Sequence, residues 1–416
     1  MSNPSTFKNK SSTKANAERK PLQVAALKSP LWKKGFSLDY STPCGGGIIC
    51  IGNGSSGAMG ISIANGSEVW SLRIGRERNS PFFNCHGLIF ICQAKGGWII
   101  CDAGSGEIIG RLPDGVTDGD IGAVLLDGAE KAVVTNQGWV VRCGDWKCLY
   151  KLATKYNLSE KSDRIVVYGG CGEHVVIGWR SKGESSGYDN VSCLRVTGKS
   201  AEELWSLRKG GEVGEPIVVY EDVVIFGRAK STHLYQYIVG SDKKVSGQSL
   251  SAVSLVTGKS VWKSPVDSQL MTIRSMDGSV SFDVLRHGDL VIHGYPLHGY
   301  TPTFDAETTK RGNAKIFAQS AKTGILYWES GSNELRLSAI SDGIVWVSEV
   351  HYPKLVKVDG RDWGQAFHRI RGINIQTGAD VCVIPVKNRL YSLIVDKGVA
   401  VVREEGDKYM TAYKIP

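Results

Sequence analysis

From about residue 30 onward, apolar and polar positions alternate with a period of two. Ser251–Lys263 shows the repeating unit: Val253 and Leu255 interleave with Ala252, Ser254 and Val256, a turn falls at Thr257-Gly258, and a second run ends on Trp262. Period-two runs joined by a Gly-bearing turn predict a β-hairpin, because Gly adopts at little cost the positive φ that tight turns demand. The pattern recurs at Ile61–Trp70, Ile99–Ile109, Val191–Trp205, Ile316–Trp328 and Ile373–Ile384. A degenerate copy at Val140–Leu149 turns at Asp145-Trp146-Lys147 and lacks the Gly.

The turns centre near residues 66, 106, 146, 198, 258, 324 and 378. Intervals of about 40 to 66 residues suit propeller blades better than helical repeats. One hairpin cannot bury its faces alone, whereas a closed ring of them leaves only short, protected edges. Short β-branched runs precede the hairpins and supply the inner strands, such as Leu88–Cys92, Ala132–Thr135 and Ile165–Tyr168. Only Tyr150–Ser162 and Ser200–Glu212 are compatible with short helices. Ser29–Lys34 looks like the half of the repeat that follows the turn, and Tyr409–Ile415 like the half that precedes it. Joined, the two chain ends make one more hairpin. The expected fold is an all-β, eight-bladed β-propeller of roughly 48 residues per blade, closed by N- and C-terminal strands; seven blades is the alternative.

The repeat apolar-x-apolar-x-x-x-Thr-Gly-Lys-x-x-Trp resembles that of the quinoprotein alcohol dehydrogenase-like β-propellers, the PQQ-like repeat. The likeness covers nearly everything after residue 30 and is tightest at Gly66, Gly198, Gly258 and Gly324, each with its Trp. The redox members of that superfamily carry a vicinal disulfide and Ca²⁺ ligands. This chain has no Cys-Cys pair and no recognisable Ca²⁺ cluster. The resemblance therefore implies the fold without the redox cofactor, as in the superfamily's assembly scaffolds.

Composition adds a division of the chain. With 50 Gly, 13 Pro and 42% apolar residues, it reads as a turn-rich globular β protein. Residues 1–29 have almost no large apolar groups and are expected to form a disordered basic tail, with the propeller spanning 30–416. Residues 1–34 hold eight basic side chains against Glu18 alone, +7 of the chain's +9. Attraction to an acidic or nucleic-acid surface is thus expected through tail residues such as Lys8, Lys10, Lys14, Arg19 and Lys20. Ten scattered cysteines, no apolar leader and no membrane-length apolar run suggest a reduced, cytoplasmic protein.

Loop length carries the functional signal. The link between the second and third strands is tight early in the chain, as at 93–97 and 136–138. It is long in four consecutive later repeats, at 181–190, 230–249, 295–314 and 351–371. Links this long tend to be functional. In a propeller they emerge on one face, and these are rich in aromatic and His side chains: Tyr235, Tyr237, Tyr295, His298, Tyr300, Phe304, His351, Tyr352, Trp363, Phe367 and His368. Aromatic side chains suit protein recognition.

Candidate chemistry is sparse. Gly52-x-Gly54-x-x-Gly57 matches a dinucleotide fingerprint, but strand rather than helix follows it, so it reads as a turn. His287, His293 and His298 are close in sequence without dictated metal geometry, and Cys143 and Cys148 flank the degenerate turn as free thiols. The reading is a non-catalytic scaffold for protein–protein interaction in an intracellular assembly, with no cofactor. An enzyme or small-ligand binder using the propeller face and a nucleic-acid-associated protein acting through the tail are the alternatives.

Overall fold

The computed structural model describes residues 23–24, 29–36, 38–53, 57–73, 82–85, 87–92, 97–112, 123–128, 131–135, 138–155, 165–179, 190–208, 215–229, 248–263, 283–294, 314–332, 334–351, 355–358, 361–364, 367–388, 390–404 and 406–415. Seven four-stranded antiparallel sheets and one five-stranded sheet, an antiparallel four-stranded unit joined by the parallel strand Gln23–Val24, account for almost all of them. The first seven units lie in chain order within residues 38–73, 82–112, 123–151, 165–208, 215–263, 283–332 and 334–386. The eighth takes three strands from the C-terminal end, Leu390–Asp396, Val399–Glu404 and Tyr409–Lys414, and its outer strand from the N-terminal side, Trp32–Gly35. The register of that closure is Trp32↔Ala412, Lys33↔Thr411, Lys34↔Met410 and Gly35↔Tyr409. First strands of successive blades lie against one another at every junction but that of the fifth and sixth, and Leu38–Gly45 meets Leu390–Asp396 to complete the ring. The fold is the expected eight-bladed propeller.

One backbone bond repeats in every blade. The residue leaving the third strand donates its N–H to a carbonyl in the turn between the first and second strands. The pairs are Ile63 to Gly47, Ala103 to Gly87, Cys143 to Lys131, Val196 to Glu173, Leu255 to Asp222, Ala321 to Asp289, Ile375 to Gly343 and Ile415 to Gly398. Both turns of a blade therefore sit on one face of the disc. The links from second to third strand leave from the opposite face.

Blades are joined by a tryptophan clasp. The indole N–H of an outer-strand Trp donates to a carbonyl of the next blade: Trp32 to Ile63, Trp70 to Ala103, Trp205 to Leu255, Trp262 to Ala321 and Trp328 to Ile375, all at 2.7–3.0 Å. The ring itself lies on the turn glycine of that next blade. A Cβ on Gly324 would stand 2.5 Å from the Trp262 ring while the backbone holds φ at +69°, so both space and conformation demand Gly. Across the ladder, Trp70, Trp262, Trp328 and Trp32 face Gly60, Ala252, Ala318 and Ala412, small partners that leave room for the ring. As the fixed offset after the turn predicts, Trp70, Trp262 and Trp328 are 7–8% exposed.

Between the third and fourth blades the clasp is a tyrosine: Tyr150 Oη lies 2.7 Å from Thr197 O and 2.6 Å from Ser200 O. Between the second and third the parts are exchanged. Gly110 occupies the outer-strand position of the Trp, and Trp146 occupies the turn position of the Gly, with φ at +55°. The Trp146 ring fills the space over Gly110, where a Cβ would stand 2.3 Å from it, and meets Phe90 edge-on at 6.4 Å. The missing turn Gly in this repeat is thus explained by a knob and a hole that have traded sides.

Two expectations resolve differently. Leu152–Lys155 forms a one-turn helix, but Ala201–Arg208, within the second helix-compatible segment, is a strand, because Trp205 pairs with Cys193 to serve the clasp. The Gly52-x-Gly54-x-x-Gly57 segment is flanked by strand Ile48–Asn53 and strand Gly57–Ser62, antiparallel partners out to Asn53↔Gly57, so strand rather than helix follows Gly57.

The exchanged pair can be reversed. Gly110→Trp alone should destabilise by about 3 kcal/mol through overpacking against Trp146. Adding Trp146→Gly and Ile100→Ala should recover stability to within about 1 kcal/mol of the parent, because together they give the new ring the turn Gly and the small ladder partner it has elsewhere and relieve a positive φ. Urea denaturation of the two variants checks this, and a triple variant no more stable than the single one refutes the exchange. Trp262→Ala should cost about 3–5 kcal/mol in the same measurement.

Candidate interaction face

The turn face is occupied in binding blades together. Asp396 of the eighth blade accepts the Gly47 N–H of the first at 2.9 Å, and Lys397 Nζ donates to Gly46 O at 2.9 Å. Asp127 accepts the Gly172 N–H of the following blade at 3.0 Å, and Glu221 pairs with Lys322 at 2.7 Å. The link face differs from blade to blade.

Strand ends place the four long links in blades four to seven. They run over 180–189, 230–247, 295–313 and 352–366. In the seventh blade the link carries its own hairpin, Leu355–Val358 paired with Arg361–Gly364. Its base is shorter than the sequence suggests: His351 and Phe367 are ladder partners at the ends of strands Ile344–His351 and Phe367–Asn374, and His368 pairs with Val350 and Val386. Those three residues belong to sheet rather than loop because the period-two pairing continues to the rim. Trp363 sits in the small hairpin opposite Val356. Tyr235, Tyr237, Tyr295, His298, Tyr300, Phe304 and Tyr352, and the tail residues Lys8, Lys10, Lys14, Arg19 and Lys20, lie outside the described residues.

Beneath these links the structure buries polar groups that the sequence reading passed over. At the base of the seventh-blade link, Glu349 and Arg369 face each other across the ladder and are bonded at 2.6 Å, with the carboxylate side chain 1% exposed. Two residues along, Arg371 donates to Asp380 Oδ1, Gly331 O and Ser330 Oγ, each at 2.6 Å. Arg371 thereby ties the seventh blade to the outer strand of the sixth. Glu349 shares its side of the strand with Val345 and Val347, and Arg369 and Arg371 share theirs with Ile373, all three apolar residues lying in the packed core between blades six and seven. Charged residues on the core side of a period-two strand are the signal that marks them.

In the sixth blade, His293 is buried beside Gln319 and stacked on Phe317 at 5.3 Å. Burial pulls its pKa down to about 4, against a smaller opposing effect of Gln319. In the fourth blade, Trp179 Nε1 donates to Ser192 Oγ at 2.8 Å, and that hydroxyl lies 2.9 Å from Ser206 Oγ and 3.1 Å from Glu203 Oε2. His287 ends its own strand opposite Leu290, apart from the ladder position of His293, so the described His residues are not brought together. Among the described residues, no group of three or more His, Cys, Asp or Glu side chains is arranged to hold a metal ion, and no helix is long and apolar enough to cross a membrane.

No family model and no curated protein matches the chain. Solved structures do. The computationally designed Ika8 protein is 14% identical with a TM-score of 0.54, over 95% of this chain and 98% of its own. BamB from Moraxella catarrhalis is 14% identical with a TM-score of 0.50, over 93% and 99%. The C-terminal WD40 domain of Sif2 is 13% identical with a TM-score of 0.55, over 95% and 99%. At this identity the likeness defines the class of protein by its fold: a β-propeller.

His293 makes stability depend on pH. Between its folded pKa of about 4 and the ordinary value of 6.5, the unfolded chain holds a proton that the folded chain does not. Stability is therefore full above 6.5 and declines as pH falls toward 4. Denaturation at pH 7 and pH 5 should show a loss of about 2 kcal/mol from this group. His293→Gln should remove that portion, and an unchanged pH slope in the variant would contradict it.

Proposed function

We propose that this propeller is a non-catalytic scaffold for protein–protein interaction, using the link face over blades four to seven. The observation that carries the reading is the asymmetry of that face. Long links occur in four adjacent blades, whereas the described ends of the equivalent links in the first three blades lie only a few residues apart. The turn face has spent its polar groups on its neighbours, so the link face is the one that can diverge to fit a partner. Aromatic residues on the links and at their base, with Tyr300, Trp363 and the strand-end Phe367 as anchors, suit a recognition surface because they bury large area at small entropic cost. The β-propeller and WD40 neighbours are consistent with such a role.

The Thr-Gly-Lys-x-x-Trp repeat supports placement in the PQQ-like superfamily, but the donor set does not fit its redox chemistry. The chain has no adjacent Cys-Cys pair. The thiols suit a reducing, cytoplasmic setting: Cys193 and Cys101 are buried, and burial pushes their pKa values up to about 12 and about 11, which makes them poor nucleophiles. The basic tail would act separately, steering the propeller toward an acidic or nucleic-acid surface.

The test is affinity capture from native lysate with mass-spectrometric identification. It compares the parent, a Tyr300→Ala/Trp363→Ala/Phe367→Ala variant of unchanged melting temperature, and an Ile325→Ser/Tyr327→Ser control on the outer rim. The anchor variant should lose affinity for the retained proteins by at least about fivefold, equivalent to about 1 kcal/mol, while the rim control keeps it. Undiminished capture by the anchor variant removes the support for the reading.

A further inference from the structure

The seam between the seventh and eighth blades lacks the aromatic clasp. At the clasp position of its outer strand, four residues after the turn Gly378, stands Cys382, neither the Trp or Tyr of most blades nor the Gly110 that receives Trp146 in the second. The eighth blade has no turn to receive a ring, because its third strand, Tyr409–Lys414, and its fourth, Trp32–Gly35, come from opposite ends of the chain. The interior of the seam is filled instead from the second strand. Trp346 is buried there with Ile370, Ile384, Leu393 and Val402, and it packs against Gly372, the ladder partner of Cys382. Packing from an inner strand leaves the outer edge of Asp380–Val386 without a wedge.

The N-terminal segment runs along that edge. Gln23–Val24 pairs with it in parallel, in the register Gln23↔Cys382 and Val24↔Val383. The same chain then reaches Trp32–Gly35, the outer strand of the eighth blade, where Trp32 makes its own clasp onto the first. One continuous segment is thus bonded to both sides of the seam, beside the residue that replaces the missing aromatic.

We infer that the pairing of Gln23–Val24 with the seventh blade, on the same chain whose Trp32–Gly35 belongs to the eighth, acts as a strap that locks the two blades together, taking over the task of the absent clasp. Pairing satisfies N–H and C=O groups that a bare outer edge would present, and the short connection to Trp32 holds the strap at high effective concentration. A ladder two residue pairs long opens at small cost. The strap therefore sets how readily the ring opens at this seam and leaves the other interfaces unaffected.

Hydrogen exchange read by mass spectrometry tests this on the full chain and on a chain beginning at residue 29. Without the strap, amides of Asp380–Val386 should exchange about tenfold faster, while those of Leu290–Gly294 in the sixth blade keep their rate. Unchanged exchange over 380–386, or equal acceleration in both strands, overturns the inference. A Gln23→Cys variant of the full chain decides the matter even where the shortened chain does not fold. Opposed ladder positions lie within disulfide reach, so mild oxidation should link the new thiol to Cys382, as identified by peptide mapping. Absence of that link overturns the strap.

Discussion

The ring depends on an indole N–H reaching a carbonyl of the next blade. Apolar packing between sheets is non-directional and would tolerate sliding. The bond from Trp262 to Ala321 O, and its counterparts, fix where each blade sits on its neighbour, since a buried donor left without that carbonyl is costly. The glycine beneath the ring serves the same contact. Gly258 turns the chain with a positive φ and leaves the space that the Trp205 ring occupies. One short motif therefore encodes both halves of an interface, its Gly receiving the preceding blade and its Trp gripping the following one.

This division of labour leaves the two faces with different freedom. On the turn face, the bond from the third strand back to the first turn occurs in every blade, and side chains such as Asp396 and Asp127 reach across to neighbouring turns. Length changes there would break bonds that hold the disc. The strand ends that carry the links lie at the opposite face from these bonds, so a link can lengthen at the modest entropic cost of a longer loop. The ion pair of Glu349 and Arg369, with its carboxylate buried, lies at the base of one such link.

The fold was legible because the motif is local. Hairpin alternation, the turn Gly and the Trp four residues later are all readable within a dozen residues, and the split eighth blade followed from two half-repeats at the chain ends. Trp146 was visible as a defect but not as half of an exchanged pair, since Gly110 lies in another repeat and only the packing brings them together. The strand at Ala201–Arg208 was open to a helical reading because its ladder runs on to Val196↔Ala201 before a turn one residue shorter than the others, which carries Trp205 away from the usual offset. The polar groups under the link face were missed for another reason. Loop composition drew attention to the aromatic residues, whereas Glu349 and Arg371 stand on strands, where a charge on the core side is seen only once the alternation is followed residue by residue.

The traded positions of Gly110 and Trp146 bear on how such a ring can change over generations. Where successive interfaces use the same Trp and Gly, a blade can be duplicated, lost or moved by recombination and still find a matching neighbour. The second and third blades do not have that freedom. A copy of the second blade placed before a blade with a turn glycine would set Gly110 against it and leave a void, and a copy of the third placed after a blade with an outer-strand Trp would set two indoles in one space. This junction therefore travels as a unit and marks a fixed origin within an otherwise interchangeable series.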